Sequence, residues 1–201
     1  MKFFEKLTKA SRIIFIIGAF VYAALYATFH AGGMGNTFMS VLVGLIYLIV
    51  GTGLLVAAPL LLLFKRDEAA KYVYLVLLGY WLLSTVQTYL NQADIASNSN
   101  DALTVVIGIF SFILGLALVG IIVLVALEYF ISKSFFRFIS FLIFVGVVGF
   151  ALVTAILLIV QYARYNAGWT TYVSVIMNYF IAPATLCFGY LHFFGAPKRS
   201  K

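Results

Sequence analysis

The chain has little charge, few acidic residues, one cysteine and three prolines. Its 13 basic and 6 acidic residues make up only 9% of 201 residues, whereas soluble domains carry about 25% charged residues. So few charges cannot solvate the surface of a water-soluble globule. A single cysteine, Cys187, excludes an internal disulfide. With 16 glycines and 3 prolines, the chain has the composition of neither a collagen-like fibre nor a proline-rich disordered chain.

Apolar side chains are what the chain has in excess. They form 65% of the residues, and the mean hydropathy is +1.13. The apolar runs are continuous and do not alternate with polar residues, which is typical of membrane-spanning helices and not of barrel strands. The composition therefore predicts an all-α integral membrane protein without a soluble domain.

Six runs are long enough to cross about 30 Å of hydrocarbon, which takes about 20 mostly apolar residues. The predicted spans are Ile13–Phe29, Thr37–Phe64, Tyr72–Leu90, Ala102–Ile131, Phe138–Ala163 and Tyr172–Phe194. Residues 1–12 are basic and are predicted to be either a short interfacial helix or a frayed tail. Residues 195–201 form a basic tail. The polar connection Asn91–Asp101 is expected to be the most mobile loop.

Basic residues gather at one set of span ends. With six spans, every lysine and arginine except Arg164 falls on the same side, and Lys and Arg near span ends favour the cytoplasm. Both termini are therefore predicted to be cytoplasmic. The compact loops favour the plasma membrane, specifically a bacterial inner membrane. The charge is expected to anchor anionic lipid head groups, and no folded soluble part exists to bind nucleic acid.

A row of small residues marks the first span. Ala19, Ala23, Ala27 and Ala31 recur every four residues, a spacing that lets two helices approach closely in lipid. We interpret the row as a helix-packing face, either inside the bundle or against another subunit.

The alanine row and the predicted topology together resemble those of a known family of membrane proteins. A six-span chain of 201 residues with both termini inside is similar in outline to the substrate-binding subunits of energy-coupling-factor vitamin transporters. The row Ala19, Ala23 and Ala27 looks like the alanine row through which those subunits dock their partner. The resemblance implies a small-solute transport component, and no ligand residues carry over from it.

Polar side chains collect near the outer ends of three spans, namely Gln87, Gln161 and Asn178. Deeper in the sixth span, Pro183 removes a helical hydrogen bond and crowds the carbonyl of Tyr179. If these helices face one another, they form a shallow outward-open pocket for a small, mostly apolar ligand. The alternative is that these groups only hydrogen-bond between helices.

Ionisable residues are scarce inside the spans. Glu128 and His192 lie at similar depth near the cytoplasmic ends of the fourth and sixth spans. They are predicted either to form a buried polar pair or to sit at the interface, with Glu128 reaching basic neighbours. No zinc spacing, nucleophile motif or phosphate-binding loop is present, so the sequence predicts no enzyme, no metal and no cofactor.

Two functions are compatible with the sequence. The first is a non-catalytic subunit or accessory component of a membrane complex, assembled through small-residue helix faces with other subunits or with itself. The alternative is a small-solute transport component with an outer-leaflet pocket. An intramembrane enzyme is the least supported, because clustered acids, bases or metal ligands are missing.

Overall fold

The computed structural model describes residues 2–32, 37–130 and 134–194, and every regular element in these ranges is helical. The elements are α1 (Lys2–Gly32), α2 (Phe38–Leu63), α3 (Asp67–Ser97), α4 (Ala102–Phe130), α5 (Ser134–Arg164), α6 (Trp169–Ile176), a π-helical segment (Met177–Ile181) and α7 (Ala182–Phe194). The all-α fold class is confirmed.

Five of the described helical stretches are long and apolar enough to cross a membrane. They are Lys9–Phe29, Phe38–Leu63, Ala102–Ile121, Val145–Arg164 and Trp169–Phe194. These stretches bear out the membrane character predicted from composition. The long helix α3 covers the predicted span Tyr72–Leu90, but its acidic first turn and polar last turns make it less apolar than the other five.

Two helices extend beyond their predicted spans. Residues 2–12 continue directly into α1 and do not form a helix of their own, since no glycine or proline interrupts them. The expectation of a mobile loop at Asn91–Asp101 was wrong for its first seven residues, because α3 continues to Ser97. The end of α3 is held by Ser97 and Asn98, whose side chains both donate to the carbonyl of Asp94. The polar residues that follow the predicted span therefore mark the end of the apolar run but not the end of the helix.

Helices that follow one another in the chain pack side by side, and the last helical stretch closes the arrangement. α7 packs mainly on α1 and α5 and also touches α3 and α4. Half of the apolar stretch Trp169–Phe194 is buried, against 17–28% in the other four. This last stretch is therefore the central helix of the bundle.

Small residues allow the close approach of α1 and α7. Ala19 and Ala23 are buried within the chain, Ala27 is half-buried, and the side chain of Ala31 lies outside the described part. On α7, Gly189 faces the rings of Phe15 and Tyr74, which meet edge to face at 5.6 Å between centroids. The first half of the alanine row thus packs inside the bundle.

Polar contacts tie four helices together at one end, which we call the basic end. The Arg12 guanidinium donates to the carbonyl of Leu62 at 2.6 Å and lies 3.8 Å from the carboxylate of Asp67. The Lys71 ammonium lies 4.5 Å from the centroid of the Phe194 ring. Leu62 is in the last turn of α2, and its carbonyl already accepts the backbone N–H of Lys65 at 3.0 Å, so Arg12 is a second donor to it.

Replacing Gly189 by alanine is predicted to destabilise the bundle. A Cβ there would stand 2.9 Å from the Phe15 ring and closer still to the Tyr74 ring, so both rings must move at a cost of about 1–3 kcal/mol. The midpoint of thermal unfolding in detergent should fall. The control is Gly79→Ala, whose Cβ would meet nothing within 4 Å. An equal fall in both variants would contradict this account of Gly189.

Candidate functional site

A cleft opens at the end of the bundle opposite the basic end. Its volume is about 460 Å³, within the range of small-molecule sites. The ends of α1 and α5 and the start of the last helical stretch form its walls. Its lining residues are Phe29, Tyr162, Thr170, Thr171, Ser174, Val175, Asn178 and Tyr179. The lining is a mixture of aromatic rings, hydroxyls and one amide, and none of these residues is charged at neutral pH.

Two polar side chains one helical turn apart supply hydrogen-bonding groups to the cleft. The amide nitrogen of Asn178 donates to the Ser174 hydroxyl at 3.3 Å. This bond leaves the amide oxygen of Asn178 as an acceptor and the Ser174 hydroxyl as a donor; neither has a partner among the described residues. The amide nitrogen also keeps its second N–H, so the pair can both donate to a ligand and accept from it.

The π-helical segment beneath the cleft is a consequence of Pro183. The backbone N–H of Ala182 donates to the carbonyl of Met177, five residues back, and Pro183 has no N–H to donate. The carbonyl of Asn178 therefore loses both of the backbone donors that a helix offers it. The Tyr89 hydroxyl donates to this carbonyl at 3.3 Å.

Two features of this region differ from the sequence-based expectation. In an α-helix, Pro183 would leave the carbonyl of Tyr179 without a backbone donor. In the π turn each N–H bonds one residue further back, so the carbonyl that lacks a donor is that of Asn178. No pattern in the sequence marked Tyr89, because a tyrosine in an apolar helix is ordinarily a packing residue. The Tyr89 ring packs against Tyr179 at 5.2 Å between centroids, so it supports the cleft through both its ring and its hydroxyl.

Gln161 lies outside the cleft lining. Its amide donates to the Thr104 hydroxyl at 2.8 Å, and that hydroxyl donates to the carboxylate of Asp101, also at 2.8 Å. The backbone N–H of Thr104 donates to the same carboxylate, as in a helix N-cap. The bonds from Thr104 hold the pKa of the Asp101 carboxyl below its ordinary value. Gln161 therefore joins α5 to the start of α4.

The remaining predicted site residues are not brought into the cleft. Pro183 is buried below it. The side chains of Gln87 and Glu128 lie outside the described part, so the pairing of Glu128 with His192 stays a prediction. His192 is half-buried in the last turn of α7, with its ring 4.9 Å from that of Phe193. Residues 2–32, 37–130 and 134–194 hold no cluster of three His, Cys, Asp or Glu side chains that fits a metal ion.

Comparison with protein-family models, curated proteins and solved structures finds no match to this chain.

Tyr89→Phe is predicted to destabilise the protein by about 1 kcal/mol, because it leaves a buried carbonyl without its donor. The loss should be smaller when Pro183→Ala is also present, since that substitution restores a backbone N–H near the carbonyl. Unfolding of the two single variants and the double variant in detergent measures this coupling. Additive effects would show that Tyr89 does not compensate for the proline. Tyr165→Phe, at an exposed position, is the control.

Proposed function

We propose that the chain crosses the plasma membrane, specifically a bacterial inner membrane, six times with both termini in the cytoplasm. The span added to the five apolar stretches is α3, whose 31 residues reach about 46 Å as a helix. α3 packs against both α2 and α4 and buries Tyr74, Leu77 and Trp81. The exposed cations Lys6, Lys9 and Arg66 lie towards the basic end, which supports a cytoplasmic position for that end.

This orientation predicts which positions a membrane-impermeant maleimide reaches in intact cells. Cys187 is the only cysteine and is buried, so Cys187→Ala gives a background without thiols. In that background, Thr170→Cys at the cleft should be labelled from outside, whereas Glu68→Cys should be labelled only after the cells are opened. Both positions are exposed. Labelling of Glu68→Cys in intact cells would show that the basic end faces outside, which would contradict the proposed orientation.

We further propose that the protein binds a small neutral solute in the cleft and acts as a non-catalytic binding component in its transport. The observation that carries this proposal is the lining of the cleft, where the Asn178–Ser174 pair borders the same space as the rings of Phe29, Tyr162 and Tyr179. A lining that combines aromatic rings with an amide–hydroxyl pair suits a ligand with an apolar body and one or two polar groups.

The charge of the cleft supports a neutral ligand. None of its lining residues is an acid, a base or a cysteine, so the cleft offers no counter-ion for a charged solute. The nearest cation along the chain is Arg164, two residues beyond Tyr162, and it is exposed. A charged ligand would leave its own charge without a partner in a partly dehydrated site.

Assembly with another membrane protein is the second candidate, and the exposed helix faces favour it. A Cβ added at Gly149 of α5 or Gly53 of α2 would meet nothing within 4 Å, so another helix has room to approach there. Ala19 and Ala23 are buried in the chain itself. We therefore place the partner on the exposed glycine faces of α2 and α5 and not on the alanine row.

Purification from native membranes in mild detergent tests the binding function. Denaturation should release a small neutral molecule, detected by mass spectrometry, in near-stoichiometric amount. Asn178→Ala should reduce that amount at least severalfold, because it removes the free acceptor and the bond that orients Ser174. Thr28→Ala is the matched control, since its exposed hydroxyl bonds only to its own helix.

The same purification separates the two candidate functions. Equal ligand content in the Asn178→Ala and wild-type proteins would end the cleft proposal. A stoichiometric protein partner without a bound small molecule would favour the subunit role alone.

A further inference from the structure

A cluster of aromatic side chains lies where α1, α2 and α3 meet, away from the cleft. We call Tyr22, Tyr26, Tyr47, Tyr80 and Trp81 the tyrosine cluster. Within it the hydroxyls of Tyr26 and Tyr80 lie 3.1 Å apart, and the Tyr80 hydroxyl also donates to the backbone carbonyl of Tyr47 at 3.4 Å.

Glycine allows the cluster to form. A Cβ at Gly51 would stand 2.7 Å from the ring of Tyr26, so only glycine lets this tyrosine reach across to α2. The rings of Tyr22 and Tyr26 pack at 5.9 Å between centroids, and Tyr22 and Trp81 are both buried. The cluster is thus held from its buried side.

The cluster lies at the depth of the hydrocarbon layer in the proposed topology. Arg12 and Asp67 mark the basic end. Tyr80 follows Asp67 by 13 residues along α3, which is about 20 Å at 1.5 Å per residue. The hydrocarbon layer is about 30 Å thick. Tyr80 therefore lies within it, in the half nearer the cleft, and Tyr47 lies at the same level because its backbone carbonyl accepts the Tyr80 hydroxyl.

Tyr47 is the member of the cluster that faces lipid. It is 50% exposed, and its ring lies 6.3 Å from that of Tyr80. Within the described residues its hydroxyl makes no hydrogen bond; only its backbone carbonyl accepts one. A hydroxyl without a partner in an apolar medium is costly, so a ligand that accepts a hydrogen bond from it would bind favourably there.

We propose that the tyrosine cluster is a lateral binding site for a quinone dissolved in the bilayer. A quinone carbonyl accepts a hydrogen bond from the Tyr47 hydroxyl, and its planar ring packs against the rings of Tyr47 and Tyr80. The isoprenoid tail lies along the exposed side chains of Ile46, Ile49 and Val50 on α2. Phospholipid and sterol head groups remain at the interface, above this depth. The proposal concerns binding only and includes no electron transfer.

Fluorescence of Trp81 provides the test. The chain has two tryptophans, so Trp169→Phe leaves Trp81, next to Tyr80, as the only one. This protein in phosphatidylcholine nanodiscs is titrated with decylubiquinone, which quenches tryptophan. The quenching should saturate. Tyr47→Phe should raise the half-saturating concentration by about three- to tenfold, as expected for one lost hydrogen bond.

The Tyr47→Phe variant changes only the hydroxyl, because it keeps the ring and the backbone carbonyl that Tyr80 uses. The control is Tyr72→Phe, at an exposed tyrosine nearer the basic end of α3, and it should leave the half-saturation unchanged. Asn178→Ala should also leave it unchanged, which separates this site from the cleft. Decylbenzene, which lacks the carbonyls, should not relieve the quenching.

Quenching that rises linearly without a plateau would overturn the proposal, because it would show only collisions in the bilayer. A plateau that Tyr47→Phe does not shift would overturn it equally, as would relief of the quenching by decylbenzene.

Discussion

The need to pair every buried backbone carbonyl governs the cleft end of this protein. In hydrocarbon no water is available to bond a carbonyl that has no hydrogen-bond donor within its own helix. Pro183 removes one donor, and the π turn before it gives the N–H of Ala182 to Met177, so the carbonyl of Asn178 depends on Tyr89 from another helix. That single bond fixes the position of the residue whose side chain lines the cleft.

The central position of α7 links the two ends of the molecule. Its first residues continue from the π-helical segment below the cleft, and its last residue, Phe194, lies under the ammonium of Lys71 at the basic end. Between them, Gly189 allows the rings of Phe15 and Tyr74 to close on the helix.

The sequence predicted the helices better than their ends or their contacts. Long apolar runs are sufficient to recognise membrane helices, because a helix in hydrocarbon must have apolar side chains. Outside the hydrocarbon a helix can continue with polar side chains, and α3 does so from Leu90 to Ser97. The bond between Gln161 and Thr104 depends on the register between two helices, which no local pattern encodes. Asn178 and Tyr179 were placed together because they are neighbours in the chain, whereas Tyr89 comes from a distant helix.

The hydrogen bonds of α3 explain how the least apolar long helix holds its place in the bundle. Three of its tyrosines donate to backbone carbonyls of other elements: Tyr74 to Leu186, Tyr80 to Tyr47 and Tyr89 to Asn178. A carbonyl has two lone pairs, so those of Leu186 and Tyr47 can keep a helical bond and still accept a hydroxyl, whereas the carbonyl of Asn178 has no helical donor and depends on Tyr89. These bonds offset the lower apolarity of α3 within the bundle. The same helix thus contributes to both candidate sites: Tyr89 supports the cleft, and Tyr80 belongs to the tyrosine cluster.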